Sequence, residues 1–221
     1  MAPRPHLRLV APDSAGAWLS AEALGCERGE RELFTALDVA LAPGEILQVE
    51  GDNGTGKTSL LRILAGLLEP SAGQVRWKGA DIRELREAYR AQLAYVGHKD
   101  GLKAELTPRE NLAFAIALSG RAPKQTPDAV LEHMGLSAHA DDPVAQLSAG
   151  QRRRVALARL LSIPATLWLL DEPFTALDQH SIVRVEEMLR THVQAGGMAV
   201  VSTHRALQVP CRRVRLATGS P

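Results

Sequence analysis

Apolar positions follow two periods along this chain. Residues 165–170 (ATLWLL) and 198–202 (MAVVS) are continuous apolar runs, as expected of parallel strands buried on both faces, and each leads to polar residues at its C-terminal end. Residues 45–50 read as a further buried strand entered through the turn Ala42, Pro43, Gly44. Upstream, short β-like segments from Trp18 onward are broken by Gly25 and Gly29, which predicts an antiparallel start. After Lys57 the period changes: Leu60, Leu61, Ile63, Leu64, Leu67 and Leu68 recur at helical spacing until Pro70 and Gly73 end the run. Thr107 and Pro108 open another apolar helical stretch, Pro123 and Pro127 break it, and Asp128 is placed to cap a helix running through Glu132. These elements predict an α/β fold with a parallel-sheet core, an N-terminal antiparallel β portion and an inserted α-helical subdomain at about residues 100–160.

The strand at 45–50 and the helix after Lys57 flank GDNGTGKT, residues 51–58. Strand, glycine-rich loop and helix is the setting in which G-x-x-x-x-G-K-[ST] binds phosphate. Backbone N–H groups from Gly51, Asp52, Asn53, Gly54, Thr55 and Gly56, with Ser59 just inside the helix, can close around a triphosphate. Lys57 then meets the β- and γ-phosphates and Thr58 reaches Mg²⁺. Alone, the motif specifies a nucleotide binder. The run LWLLDE at 167–172 adds Asp171, placed to hold the metal, through water because Mg²⁺ dehydrates reluctantly, and Glu172, placed as the base that orients water. A bare helix N-terminal charge effect is the alternative for this acidic pair, against which stand Pro173 and the upstream phosphate loop. LSAGQ at 147–151 precedes an Arg/Ala/Leu helix whose N-terminus would attract an anion, and His204 follows the strand at 198–202.

With these motifs in this order, the chain resembles the ATP-binding-cassette (ABC) ATPases over nearly its whole length. The resemblance implies a P-loop cassette with a RecA-like parallel-sheet core, a single domain over residues 18–221 after a tail at 1–17, ATP as substrate and Mg²⁺ as cofactor. It implies Glu172 and His204 as catalytic groups. Ser148, Gly150 and Gln151 would complete the site of a second copy of the chain, in an ATP-sandwich homodimer, with Asp178 of TALD (175–178) linking the two sites. Three positions depart from the family pattern. His98, in YVGHK at 95–99, stands where the family's usual Gln is found, so the link between magnesium, water and membrane partner would pass to an imidazole. Arg28 falls where many relatives stack an aromatic ring on adenine, and its guanidinium either stacks or is solvated. Asp52 replaces a frequent Pro.

Charge narrows the partners. The chain of 221 residues has 26 Lys and Arg against 25 Asp and Glu, without the excess of positive charge that marks nucleic-acid binders. No nucleic acid is expected, and the Arg clusters at 152–154 and 212–215 read as solvated or partner-facing surface. The longest apolar runs fall short of the ~18–20 residues of a membrane span, and the N-terminal segment lacks a signal-like apolar stretch, so a cytosolic, soluble chain is expected. Cys26 and Cys211 show no metal or redox spacing. Residues 26–34, 95–112, 147–160 and 170–178 are similar to the ATP-binding subunits of cytochrome c maturation systems. That similarity implies a peripheral subunit on the cytoplasmic face of a bacterial inner membrane, with the integral subunits CcmB and CcmC, and CcmD and the chaperone CcmE in the wider complex. ATP hydrolysis would drive haem export or release of haem-loaded CcmE. The other readings are the ATPase of a small lipoprotein or antibiotic exporter, a soluble ABC ATPase acting on ribosomes or DNA, and an inactive ATP-binding scaffold.

Overall fold

The computed structural model describes residues 16–29 and 31–216. The expected N-terminal tail lies, for residues 1–15, outside the described residues. Strands β1 (Leu19–Arg28), β2 (Arg31–Leu41), β4 (Ala72–Trp77) and β5 (Ala80–Asp81) form an antiparallel sheet in the order β2-β1-β4-β5. The second sheet has the order β6-β7-β8-β3-β9, from β3 (Ile46–Glu50), β6 (Leu93–Val96), β7 (Leu167–Asp171), β8 (Met198–Ser202) and β9 (Arg212–Arg215), and every neighbouring pair is parallel. All five residues of both β7 and β8 are buried. Helical connections cover both faces of such a sheet, which is why these strands read as unbroken apolar runs.

The two-residue period of the strands divides the interior into two cores. Leu167, Leu169, Met198 and Val200 pack with the antiparallel sheet and with helix α1 (Lys57–Leu64). Trp168, Leu170, Ala199 and Val201 face the opposite core, shared with α4 (Pro108–Ser119), α5 (Pro127–His133), α6 (Ala149–Ser162) and α7 (Gln179–Gln194). Short helices α2 (Ile82–Leu85) and α3 (Glu87–Arg90) connect β5 to β6. Helix α7 lies outside the elements expected above. Its buried Val185, Met188, Leu189 and His192 fall on one stripe, at spacings of three and four.

Thr107 caps α4 in a reciprocal box: its side chain accepts from the Glu110 N–H, and Glu110 Oε2 accepts from the Thr107 N–H at 2.8 Å. Buried Asn111 fixes the loop ahead of it, donating to the carbonyls of Lys103, Leu106 and Thr107 and accepting from the Lys103 N–H. The expected cap at Asp128 is corrected. Thr126 caps α5 by accepting from the Ala129 N–H, and Pro127 takes the first helical position, where its missing N–H costs nothing. Asp128 is therefore inside the first turn, where it pairs with Arg109 of α4.

Candidate functional site

The phosphate loop leaves the C-terminal end of β3 and enters α1 through Gly56. Gly56 has φ 100, where other residues are strained, and a Cβ there would crowd Leu33 and the Phe34 ring at 3.1 Å, so glycine eases the passage of the loop under β2. Lys57, first residue of α1, folds back over the loop. Its Nζ donates to the Gly51 carbonyl at 2.7 Å and lies 3.3 Å from the Asp52 carbonyl. Thr55 is buried, its hydroxyl donating to the Asp52 carbonyl at 3.0 Å. These bonds tie the loop into a ring whose mouth opens at the sheet's carboxyl edge.

Parallel pairing brings the ends of β7 and β8 to that edge. Thr58 Oγ1 donates to Asp171 Oδ2 at 2.8 Å and Ser202 Oγ donates to Asp171 Oδ1 at 2.7 Å, so both carboxylate oxygens of this buried aspartate are held. Glu172 follows at φ 48, with its N–H donating to the Ser202 carbonyl and hydroxyl. Its Oε1 is buried without a hydrogen-bond partner, 3.8 Å from Lys57 Nζ and 3.4 Å from His204 Nε2. His204 Nε2 also lies 3.1 Å from Lys57 Nζ and 3.2 Å from Asn53 Oδ1. Residues widely separated in sequence thus surround one point in space.

A cleft of about 560 Å³ opens there. Asp52, Asn53, Gly54, Gly56, Lys57, Thr58 and Ser59 line one side, and Asp171, Glu172 and His204 the other. Exposed His98 reaches it from the turn after β6, and Arg28 reaches it with Arg31 from the β1–β2 hairpin. Nothing in the structure explains why residue 52 is Asp.

Ser148, Gly150, Gln151 and Asp178 do not line this cleft. Ser148 caps α6 by the same reciprocal box as Thr107: its hydroxyl accepts from the Gln151 N–H at 3.2 Å, and Gln151 Oε1 accepts from the Ser148 N–H at 2.7 Å. Ser148 remains exposed. A Cβ on Gly150 would meet the Ala176 carbonyl at 2.6 Å, which fixes the helix start against residues 175–178. Asp178 caps α7 by accepting from the Ser181 N–H at 2.7 Å, and that bond holds its carboxyl below the usual range.

One residue of the site escaped the sequence reading. The cluster at 152–154 was expected on the surface, but Arg153 is only 3% exposed. Its guanidinium donates to the carbonyls of Gly97, Asp171, Glu172 and Pro173. Helical spacing could have indicated it, since residue 153 lies four positions before buried Leu157 and on the same inward face of α6.

The family model described as ABC transporter matches residues 34–175. The chain is 52% identical over 202 residues to the cytochrome c biogenesis ATP-binding export protein CcmA of Methylococcus capsulatus, covering 90% of this chain and 98% of that one. It is 48% identical to the protein of the same name from Dechloromonas aromatica, covering 89% and 97%. A solved dimeric ATP-binding cassette in a post-hydrolysis state, bound to ADP and phosphate, superimposes with a TM-score of 0.73 at 25% identity, covering 85% of this chain and 88% of that one. The chain belongs to the ABC transporter ATP-binding family and, within it, to the CcmA family of cytochrome c biogenesis ATP-binding proteins. It is an ATPase of the ABC class with the α/β cassette fold.

Proposed function

We propose that this chain is the ATP-hydrolysing subunit of a membrane complex for cytochrome c maturation. The observation that carries the chemistry is the convergence of Lys57, Asp171, Glu172 and His204 on one cleft at the carboxyl edge of the parallel sheet. What supports the biological role is near-half identity, over almost the full length of both chains, to proteins named for cytochrome c biogenesis.

In this reading the triphosphate of ATP lies along the backbone amides of residues 51–58, where Lys57 neutralises the β- and γ-oxygens. The Thr58 hydroxyl and Asp171 carboxylate are hard oxygen donors 2.8 Å apart, a set that suits Mg²⁺ with phosphate and water filling its remaining positions. When bound there, Mg²⁺ offsets the negative charge of the phosphates. Glu172, with one oxygen unspent in hydrogen bonds, takes the proton of the water attacking the γ-phosphorus. The new P–O bond forms as the bond to the β–γ bridging oxygen breaks, releasing ADP and phosphate. His204, beside both Lys57 and Glu172, holds the γ-phosphate, and His98 relates the cleft to the membrane partner. Arg28 is positioned at the rim to meet the adenine.

Ser148, Gly150 and Gln151 do not line this cleft, and in this reading they close the γ-phosphate site of a second copy, with Asp178 between the two sites. No described helix is long and apolar enough to cross a membrane. In this reading the membrane path is supplied by the integral subunits CcmB and CcmC, with CcmD and CcmE in the wider complex. The subunit then works at the cytoplasmic face of the inner membrane, its ATP hydrolysis driving haem export or release of haem-loaded CcmE.

The test is Glu172→Gln in cells that make c-type cytochromes. ATP binding is retained, turnover falls on the order of 10²-fold or more, haem-loaded chaperone accumulates and mature cytochromes are lost. Normal cytochromes alongside confirmed loss of hydrolysis would overturn the assignment and favour a lipoprotein or antibiotic exporter.

A further inference from the structure

The buried guanidinium of Arg153 ties helix α6 to two segments that leave the ends of the paired strands β6 and β7. From the second turn of α6, its Nη2 donates to the Asp171 carbonyl at 2.8 Å and to the Glu172 carbonyl at 2.9 Å, and its Nε donates to the Pro173 carbonyl at 3.2 Å. Nη1 donates to the Gly97 carbonyl at 2.8 Å and to Asp100 Oδ1 at 3.1 Å, bracketing His98 on its turn. Three successive carbonyls at the end of β7 are thereby satisfied, those of Asp171 and Pro173 in buried surroundings. Glu172 among them holds the left-handed φ of 48, a conformation that a non-glycine residue keeps only when its surroundings enforce it. A flat fork of five N–H donors suits such divergent acceptors, and a lysine ammonium cannot reach them all.

We propose that Arg153 is a positioning residue for ATP hydrolysis: it sets the direction of the Glu172 carboxylate and the placement of the His98 turn, and links both to the helix whose first residues face a second copy of the chain. The proposal rests on the reading of Glu172 as the base and of the working state as a dimer. Its consequence is that displacement of α6 by a partner displaces the base.

The experiment uses the full chain co-expressed with its membrane subunits and compares Arg153→Lys, Arg153→Gln and Asp100→Asn with Glu172→Gln. Arg153→Lys and Arg153→Gln lower kcat roughly tenfold to a hundredfold while KM for ATP stays within about threefold, because the phosphate loop is untouched. Asp100→Asn, which removes the charge of one partner and leaves the carbonyl bonds in place, gives a smaller loss of the same kind, and serves if the Arg153 variants do not fold. A mixed dimer adds a readout that a fold-wide defect would not produce. One chain carries Ser148→Arg and the other Lys57→Ala, leaving a single live site built from Lys57 and Glu172 of the first and Ser148 of the second. Arg153→Gln on the first chain abolishes most of the turnover, and on the second leaves most of it. Equal loss from both placements, or a folded Arg153→Gln with kcat within about twofold of the parent, overturns the proposal. Glu172→Gln separates the two ideas: if it still hydrolyses ATP, the base is misassigned; if it does not and Arg153→Gln keeps kcat within about twofold of the parent, only the positioning role fails.

Discussion

Glu172 and His192 show how burial sets the work of single side chains. Glu172 keeps a buried oxygen free of hydrogen bonds between a lysine and a histidine, a costly arrangement unless the cleft uses it. His192 lies on the far side of the sheet, stacked on Trp168 at a centroid distance of 3.8 Å and packed against Gly197. Its Nε2 lies 3.1 Å from the Met198 carbonyl, and desolvation outweighs that bond, holding its pKa down at about 4 against an ordinary 6.5. A histidine with a depressed folded-state pKa contributes stability in full above its unfolded value, and loses it as pH falls toward the folded one. The protein should therefore weaken on acidification between 6.5 and about 4, by up to about 3 kcal/mol from this group. Urea unfolding at about pH 7 and about pH 4.5 should show a larger acid loss for the parent than for His192→Asn; equal losses would mean that another group titrates.

At the scale of elements, helix starts carry more information than helix bodies. Both α4 and α6 begin with a reciprocal capping box, Thr107 with Glu110 and Ser148 with Gln151, yet only the second is offered to a nucleotide in the proposed function. Thr107→Ala should cost about 1 kcal/mol in urea unfolding and leave KM for ATP unchanged, since Thr107 does not line the cleft. A stability loss accompanied by a raised KM would mean that the α4 entry loop, fixed by Asn111, reports to the nucleotide site. Thr126 and Asp128 illustrate a limit of local reading. Either residue is a good cap by type, and Pro127 between them decides the matter, because a proline fits the first helical position and so assigns the cap to its predecessor.

At the scale of the whole molecule, the cleft and the Ser148 helix start belong to different surfaces of one chain. A composite site follows if two chains pair head to tail. Mixing a Lys57→Ala chain with a Ser148→Arg chain should restore part of the ATPase activity that each lacks alone, through heterodimers with one intact site. Inactive mixtures with heterodimers demonstrated by differential tagging would show that each chain completes its own site.

Much of the fold and site was legible in the chain. Unbroken apolar runs at 165–170 and 198–202 disclosed the central strands, because strands covered on both faces have no polar side to present. The phosphate loop, Asp171, Glu172 and His204 were readable because each adjoins the end of such a strand, and parallel strands deliver their ends to one edge. Thr107 with Pro108 also marked the start of α4. Only the tertiary structure decided the fate of Arg153, whose neighbours Arg152 and Arg154 are less buried. Apart from the Asp100 carboxylate its partners are main-chain carbonyls of residues 97 and 171–173, and a carbonyl has no letter in the sequence. The same holds for Glu172, where the residue type announced the chemistry but the left-handed backbone and the absent hydrogen bond arise from how two sheet ends and one helix meet.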